Sequence, residues 1–192
     1  KKNPNVTPLV TVLTWNNNHT QKKLSYTGYI LTKKSNKNIN SLRDLKGKSI
    51  GFIDRFSASG FLYPVAIMNT LGIHYKTFFK HYRFYDTHLK ALQALANNQV
   101  DAAAIWGSQW KMFKNKQLFK ALLVIPNIPN PSIVASADLS NTQKQKITTA
   151  LIHAPAAVFN HLFFAGFVKT PAYFYRRFQS LSDVSQFIKK PD

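Results

Sequence analysis

The stretch KSIGFIDRFSASGFLYP, Lys48 to Pro64, sets the reading of the whole chain. Lys48 to Ile53 is a short apolar run of strand type, closed by Asp54. Then come two serines and a glycine, Ser57, Ser59 and Gly60. From there Leu62, Val65, Ala66, Met68 and Leu71 recur at helical spacing, with Gly72 placed to cap the helix. A strand that turns through small polar residues into a helix leaves the first helical N–H groups without partners, at the positive end of the helix dipole. Ser57 and Ser59 add hydroxyl donors, Ala58 adds an amide, and Gly60 opens the backbone to close approach. That combination suits a tetrahedral oxyanion without requiring a lysine. The same residues also serve as ordinary helix caps, Ser57 or Ser59 closing the first turn. The local sequence leaves both readings open.

Working outward, Val6–Trp15 reads as a strand in which Pro8 marks an edge or a bend, and Tyr26–Thr32 as a second strand. Ser41–Leu45 is a single helical turn with Ser41 as its cap and Asp44 in the first turn. Phe78–Tyr85 is strand-like. Thr87–Asn97 is a helix with Leu89, Leu92 and Leu95 as its core stripe, and Ala102–Ile105 is a strand of small residues. A helix over Ser108–Asn115 and a strand over Phe119–Ile125 follow. The cluster IPNIPNP (residues 125–131) is a stiff connection. Ile133–Ser136 is a strand, Ser140 caps a helix beginning near Thr142, and the aromatic tail, including the apolar Ala154–Val168, reads as a buried terminal helix. Strands alternating with short helices predict an α/β fold with mainly parallel sheets, whose ligands sit at the carboxyl ends of the strands.

Composition narrows the function classes. The chain has 192 residues, 45% of them hydrophobic, with 15 Phe, so it supports a folded core built largely from rings. Lys plus Arg number 26 against 7 acidic residues, a formal charge of +19. Such a field attracts anions, nucleic acid or anionic membranes without choosing among them. The lysines are scattered rather than gathered on one element with interleaved aromatics, which speaks against a dedicated nucleic-acid binder. There is no cysteine, so thiolate metal sites and disulfides are excluded. His74 and His81 have no companion ligands, and no metal or cofactor is expected. Neither a G-x-S-x-G elbow nor a G-x-x-x-x-G-K-[ST] loop occurs, and the chain is not expected to be an enzyme. No run reaches the roughly twenty apolar residues of a membrane span, nor does an apolar core follow the opening lysines as in a signal peptide.

The ordered segments SLRDLKGKSIGFIDRFSASGFLYP, THLKALQALANNQVDAAAIWG and IPNPSIVASADLS resemble the phosphonate-binding (PhnD-like) periplasmic substrate-binding proteins of ABC transporters, over about residues 24 to 145. The resemblance implies a type II periplasmic-binding-protein fold, with two lobes, mainly parallel sheets flanked by helices, and hinge crossovers between them. It places residues 1–40 and 127–192 in a first, incomplete lobe and 41–126 in a second. It also implies that the sequence begins after most of the family's N-terminal βαβ portion. The family's Ser-Thr-Ser-Gly segment, which holds the phosphonate oxygens, corresponds to Ser57, Ala58, Ser59 and Gly60, so one hydroxyl is replaced by a methyl group. His88, thirteen residues before Asp101, matches the family's helix-start histidine.

Two family positions that carry acids for amine-bearing phosphonates correspond to Ser108 and Asn130, neither of which neutralises an ammonium group. The implied ligand is therefore a simple oxyanion: phosphite, phosphate, methylphosphonate or a phosphonate with a neutral tail. Tyr26 and Trp106 are expected to wall the pocket, whereas Asp54 and Asp101 are expected to stabilise loops. The partners implied are the small anion and an ABC transporter permease, with no specific nucleic acid, in a periplasmic or membrane-anchored extracytoplasmic setting. The alternatives are a ligand-sensing domain of the same fold in a signalling protein and a basic nucleic-acid-binding protein.

Overall fold

A computed structural model describes residues 6–16, 20–159, 164–171 and 174. The strands are β1 (Val6–Trp15), β2 (Lys22–Lys23), β3 (Ser25–Lys33), β4 (Ser49–Phe52), β5 (His81–Phe84), β6 (Ala102–Trp106), β7 (Phe119–Pro129), β8 (Ser132–Ser136) and β9 (Phe164–Lys169). The helices are α1 (Tyr63–Thr70), α2 (Tyr75–Phe78), α3 (His88–Ala96), α4 (Gly107–Met112) and α5 (Asn141–Ile152), with a π-helical turn, Ala58–Leu62, leading into α1.

The chain divides into two compact units. Among the described residues the smaller runs to Tyr26 and resumes at Pro129, and the larger is Thr27–Ile128. The boundaries therefore fall inside β3 and at the end of β7. They differ from the boundaries at residues 40/41 and 126/127 that the family resemblance implies.

The larger unit is a five-stranded sheet in the order β5-β4-β6-β3-β7. β4 runs parallel to β5 and β6, and β3 is antiparallel to β6. Both faces of this sheet are covered, and the period-two alternation of strands assigns side chains to two cores. On one face Ile30, Phe52, Ala102 and Ala104 join Phe61, Met68, Tyr75 and Phe79. On the other, Leu31, Ala103 and Ile105 meet Leu92 and Leu95 of α3. The three alanines of β6 are fully buried because helices or rings press on both sides. The first core is aromatic, as the phenylalanine count predicts: the ring of Phe52 lies 5.1 Å from Phe61 and 5.9 Å from Tyr75, both edge to face.

The smaller unit is built on β1, which pairs antiparallel with β2, β8 and β9. The expectation of mainly parallel sheets thus holds for β5, β4 and β6 but not here. Pro8 does not put β1 at an edge. It sits at a bulge between Pro8 and Val10, where the missing N–H is tolerated.

Other local expectations change where tertiary contacts decide. Residues 164–169 of the supposed terminal helix form β9, paired with Val10–Thr14 of β1. Residues 160–163, and the tail beyond Pro171 apart from Phe174, lie outside the described residues. The proline cluster is not a separate connection, since β7 continues through Pro126 to Pro129. Residues 75–78, part of them assigned to a strand, form the short helix α2. Leu89 is 49% exposed, and the buried face of α3 is Ala91, Leu92, Ala94 and Leu95. Ser41 does not cap its helical turn. Its N–H and hydroxyl donate to the Asp44 carboxylate at 2.8 and 3.0 Å, and Asn40 N–H donates to it as well. These bonds hold the Asp44 carboxyl below the usual range. Ser140 behaves as predicted, capping α5 through Gln143 N–H while the Gln143 side chain returns to Ser140 N–H.

Candidate oxyanion site

The site begins where β4 ends. Asp54 Oδ1 accepts from Phe56 N–H at 2.7 Å and the Asp54 carbonyl accepts from Ser57 N–H at 3.3 Å, turning the chain sharply. Ser57 is extended (φ −66°, ψ 117°) and caps the turn that follows, its hydroxyl oxygen accepting from Gly60 N–H at 3.1 Å. The Ser57 carbonyl takes both Phe61 N–H and Leu62 N–H at 3.0 Å, so the first turn is wound wider than an α-helix before α1 takes over at Tyr63.

Capping consumes one amide and leaves others. The N–H groups of Ala58 and Ser59 donate to no described residue, and neither does the hydroxyl of Ser59, a residue only 2% exposed. Ser57 accepts through its oxygen, which leaves its own O–H to donate. The two sequence readings, cap and cradle, are therefore compatible: one hydroxyl holds the turn open and the remaining donors stay unspent.

Gly60 answers a different need from the one its sequence context suggests. A Cβ there would lie 2.2 Å from Ile53 Cγ1 and 2.7 Å from Ser57 Oγ, so the glycine lets the turn press against the end of β4. Gly28 in β3 plays the matching part, because a Cβ on it would meet Ser59 Cβ at 3.0 Å and Ile128 Cδ1 at 2.8 Å. Gly28 is the register partner of Trp106. Reading the sequence missed Gly28, although a glycine inside the strand YTGYILT signals a close backbone approach.

His88 opens α3, behind the cap Thr87, whose hydroxyl accepts from Lys90 N–H at 3.2 Å. The main-chain N–H of Trp106, at the carboxyl end of β6, donates to His88 Nδ1 at 3.1 Å. Nδ1 is thereby an acceptor, and the proton of the neutral ring sits on Nε2. Burial lowers the His88 pKa to about 4, against an opposing pull from the Asp54 carboxylate. At neutral pH the ring is an uncharged Nε2–H donor. The turn after β4, the glycine of β3, the end of β6 and the start of α3 thus form one continuous structure at the carboxyl ends of β4 and β6.

The remaining expected residues are placed as follows. Ser108 is the second residue of α4 and half-buried, behind Gly107, where a Cβ would meet the Tyr29 ring at 2.7 Å. Trp106 is half-buried, its ring 6.4 Å from that of His88. Tyr26, half-buried, and Asn130, 1% exposed, belong to the smaller unit. Asn130 Nδ2 donates to Val12 O at 2.8 Å, Lys23 O at 2.9 Å and Thr14 Oγ1 at 3.2 Å, which fixes the amide orientation, and its buried Oδ1 has no hydrogen-bond partner among the described residues.

Asp101 lies elsewhere. Twelve residues of helix and turn separate it from His88 and carry it to the opposite, amino end of β6. There its carboxylate accepts from Ser49 N–H at 2.8 Å and Ser49 O–H at 2.7 Å. Asp54 and Asp101 are thus loop anchors, as expected.

Uncharged donors gathered at strand carboxyl ends are the arrangement with which α/β folds hold small anions. The chain belongs to the phosphonate family of ABC-transporter periplasmic substrate-binding proteins, whose sequence pattern matches residues 1–173. No curated protein matches the sequence. Among solved structures, a binding-protein component of a phosphonate ABC transporter from Pseudomonas aeruginosa superposes with a TM-score of 0.77 at 22% identity, over 92% of this chain and 62% of that one. A PhnD1 protein from Prochlorococcus marinus (MIT 9301), in complex with methylphosphonate, gives 0.72 at 18% identity, over 94% and 72%. A Xanthomonas citri protein bound to ATP gives 0.77 at 16% identity, over 96% and 72%. The fold is that of the type II periplasmic binding proteins. Among the described residues no helix is long and apolar enough to cross a membrane.

Proposed function

We propose that this chain captures a small phosphorus oxyanion for an ABC importer, holding it at the start of the Ala58–Leu62 turn. The Ala58 and Ser59 amides, the Ser57 and Ser59 hydroxyls and His88 Nε2–H are its donors. Gly60 shapes the turn, and Trp106 and Ser108 flank it. The observation that carries this reading is the set of unspent donors around Ser59, a nearly buried serine whose hydroxyl and amide would otherwise be left without partners.

Every donor in this set is uncharged, so the grip rests on directed hydrogen bonds to a charged acceptor, which are stronger than neutral ones. Neither Ser108 nor Asn130 supplies a carboxylate, which favours ligands lacking an ammonium group. The methylphosphonate held by the Prochlorococcus relative is of that kind. Once loaded, the protein would deliver its anion to a permease at the extracytoplasmic membrane face, without chemical conversion.

Calorimetric titration of the full-length protein with phosphite, phosphate, methylphosphonate and 2-aminoethylphosphonate tests this directly. Binding of at least one of the first three, tighter than 2-aminoethylphosphonate, is expected. Heat from none of them removes the proposal, and preference for the amine removes the argument from Ser108 and Asn130.

A further inference from the structure

The sheet of the larger unit has two ends, and only one carries the oxyanion site. At the other end β4 and β5 begin side by side, with Ser49 in register with His81 and Lys80 N–H donating to Lys48 O at 2.9 Å. β6 begins there too, and antiparallel β3 ends there, with Thr32 opposite Ala102. Lys34 N–H donates to Leu118 O at 2.7 Å, which brings in the start of β7 and the turn containing Lys116. The topology therefore gathers Lys34, Lys46, Lys48, Lys80 and Lys116, residues scattered along the sequence, at one pole of the unit.

All five are exposed, and none of their ammonium groups makes a hydrogen bond or ion pair with a described residue. The segments that meet here carry two carboxylates, Asp44 and Asp101. Asp44 is occupied by Asn40 and Ser41, with Lys120 nearby, and Asp101 by Ser49, so neither is paired with any of the five lysines. Five lysines against two carboxylates leave a local excess of three positive charges, before Lys33 and Arg43 on the same segments are added. Like charges gathered this way repel one another, and an opposing surface of negative charge relieves that repulsion.

We propose that this amino-end pole of the larger unit is a docking surface for an anionic phospholipid bilayer. The partner is a lipid surface rather than a nucleic acid for two reasons. The pole presents no exposed Phe, Tyr or Trp ring for base stacking, the exposed rings of those types among the described residues being Trp15 and Phe56. The family, moreover, serves a transporter that sits in a membrane. Basic residues near an anionic leaflet act additively and are screened by salt, so the contact is reversible and leaves the oxyanion site, at the other end of the same strands, unobstructed.

The test is co-sedimentation of the full-length protein with phosphatidylglycerol–phosphatidylcholine vesicles, against phosphatidylcholine vesicles alone, at rising sodium chloride. Salt-sensitive binding to the anionic vesicles only is expected. The triple variant Lys34→Gln, Lys48→Gln, Lys80→Gln should lower the partition coefficient about a hundredfold, taking roughly fivefold per lysine. The control triple Lys144→Gln, Lys146→Gln, Lys169→Gln on the smaller unit should lower it far less. Circular dichroism and methylphosphonate titration accompany both variants, so that misfolding and failure of the anion site are each read separately from vesicle binding. Absence of vesicle binding overturns the proposal, as does equal loss in the two triples, which assigns the effect to net charge alone. Pole-dependent binding of duplex DNA without pole-dependent vesicle binding overturns it in favour of a nucleic-acid partner.

Discussion

Trp106 and His88 are joined by a main-chain hydrogen bond, the Trp106 N–H donating to His88 Nδ1 at 3.1 Å. A backbone donor is always protonated, so it accepts no alternative tautomer from the ring it faces. The end of β6 thereby fixes which nitrogen of His88 points its proton away, and the start of α3 becomes a donor with a set direction.

The same bond separates two substitutions. Asn at position 88 keeps an acceptor near the Nδ1 position and removes the distal donor. His88→Asn should therefore weaken methylphosphonate binding about tenfold or more while costing under about 1 kcal/mol of stability. His88→Gln places an amide donor near the Nε2 position but leaves the Trp106 N–H unpaired, which costs about 1–3 kcal/mol. Urea melts and calorimetry on the two variants distinguish these outcomes, and equal effects on both properties would show that the ring only fills space.

Acid should destabilise the ligand-free protein through His88. Its folded pKa, about 4, lies below the unfolded value of 6.5, so the unfolded state binds the extra proton between those limits. Stability is full above pH 6.5 and declines as the pH falls toward 4, by about 3 kcal/mol. Denaturation midpoints of wild type and His88→Asn across this range should converge and then cross as the pH drops, the variant becoming the more stable, and parallel curves would contradict the assignment.

Gly60→Ala should destabilise by about 1–3 kcal/mol, because the added methyl enters the space of Ile53. The double variant Gly60→Ala, Ile53→Ala should not add the two single costs, since removing Ile53 Cγ1 relieves part of the clash. Thermal melts of the four proteins check this, and strict additivity would mean that the turn does not press on Ile53.

Asp101→Asn should cost about 1–3 kcal/mol by weakening the double grip on Ser49, with the ligand affinity unchanged. A large affinity loss in a stably folded variant would place Asp101 in the site rather than at the far end of β6.

Much of this was legible in the sequence because local rules and tertiary demands agree there. β1 spans the predicted residues, Ser140 and Gln143 cap α5 reciprocally, and Thr87 precedes the helix that His88 opens. Where they disagree, partners decide. Residues 164–169 are apolar enough for either element, and pairing with β1 makes them a strand. Ser41 had a choice of acceptors and donates to Asp44, and Leu89 sits on the right spacing but the wrong side of α3. The donors around Ser57 and Ser59 were visible as residue types. That Ser57 would be spent on Gly60 while Ser59 would not, and that Gly60 would serve Ile53, depends on a wide first turn that no short-range pattern encodes.

The most direct measurement of the cradle itself is nitrogen–proton correlation spectroscopy of the full-length protein during titration with methylphosphonate. The amides of Ala58 and Ser59 and the Nε2–H of His88 should move downfield together and saturate at one equivalent, as donors entering charge-assisted bonds do. Saturable methylphosphonate binding that leaves those three resonances where they were would place the ligand elsewhere and contradict the account.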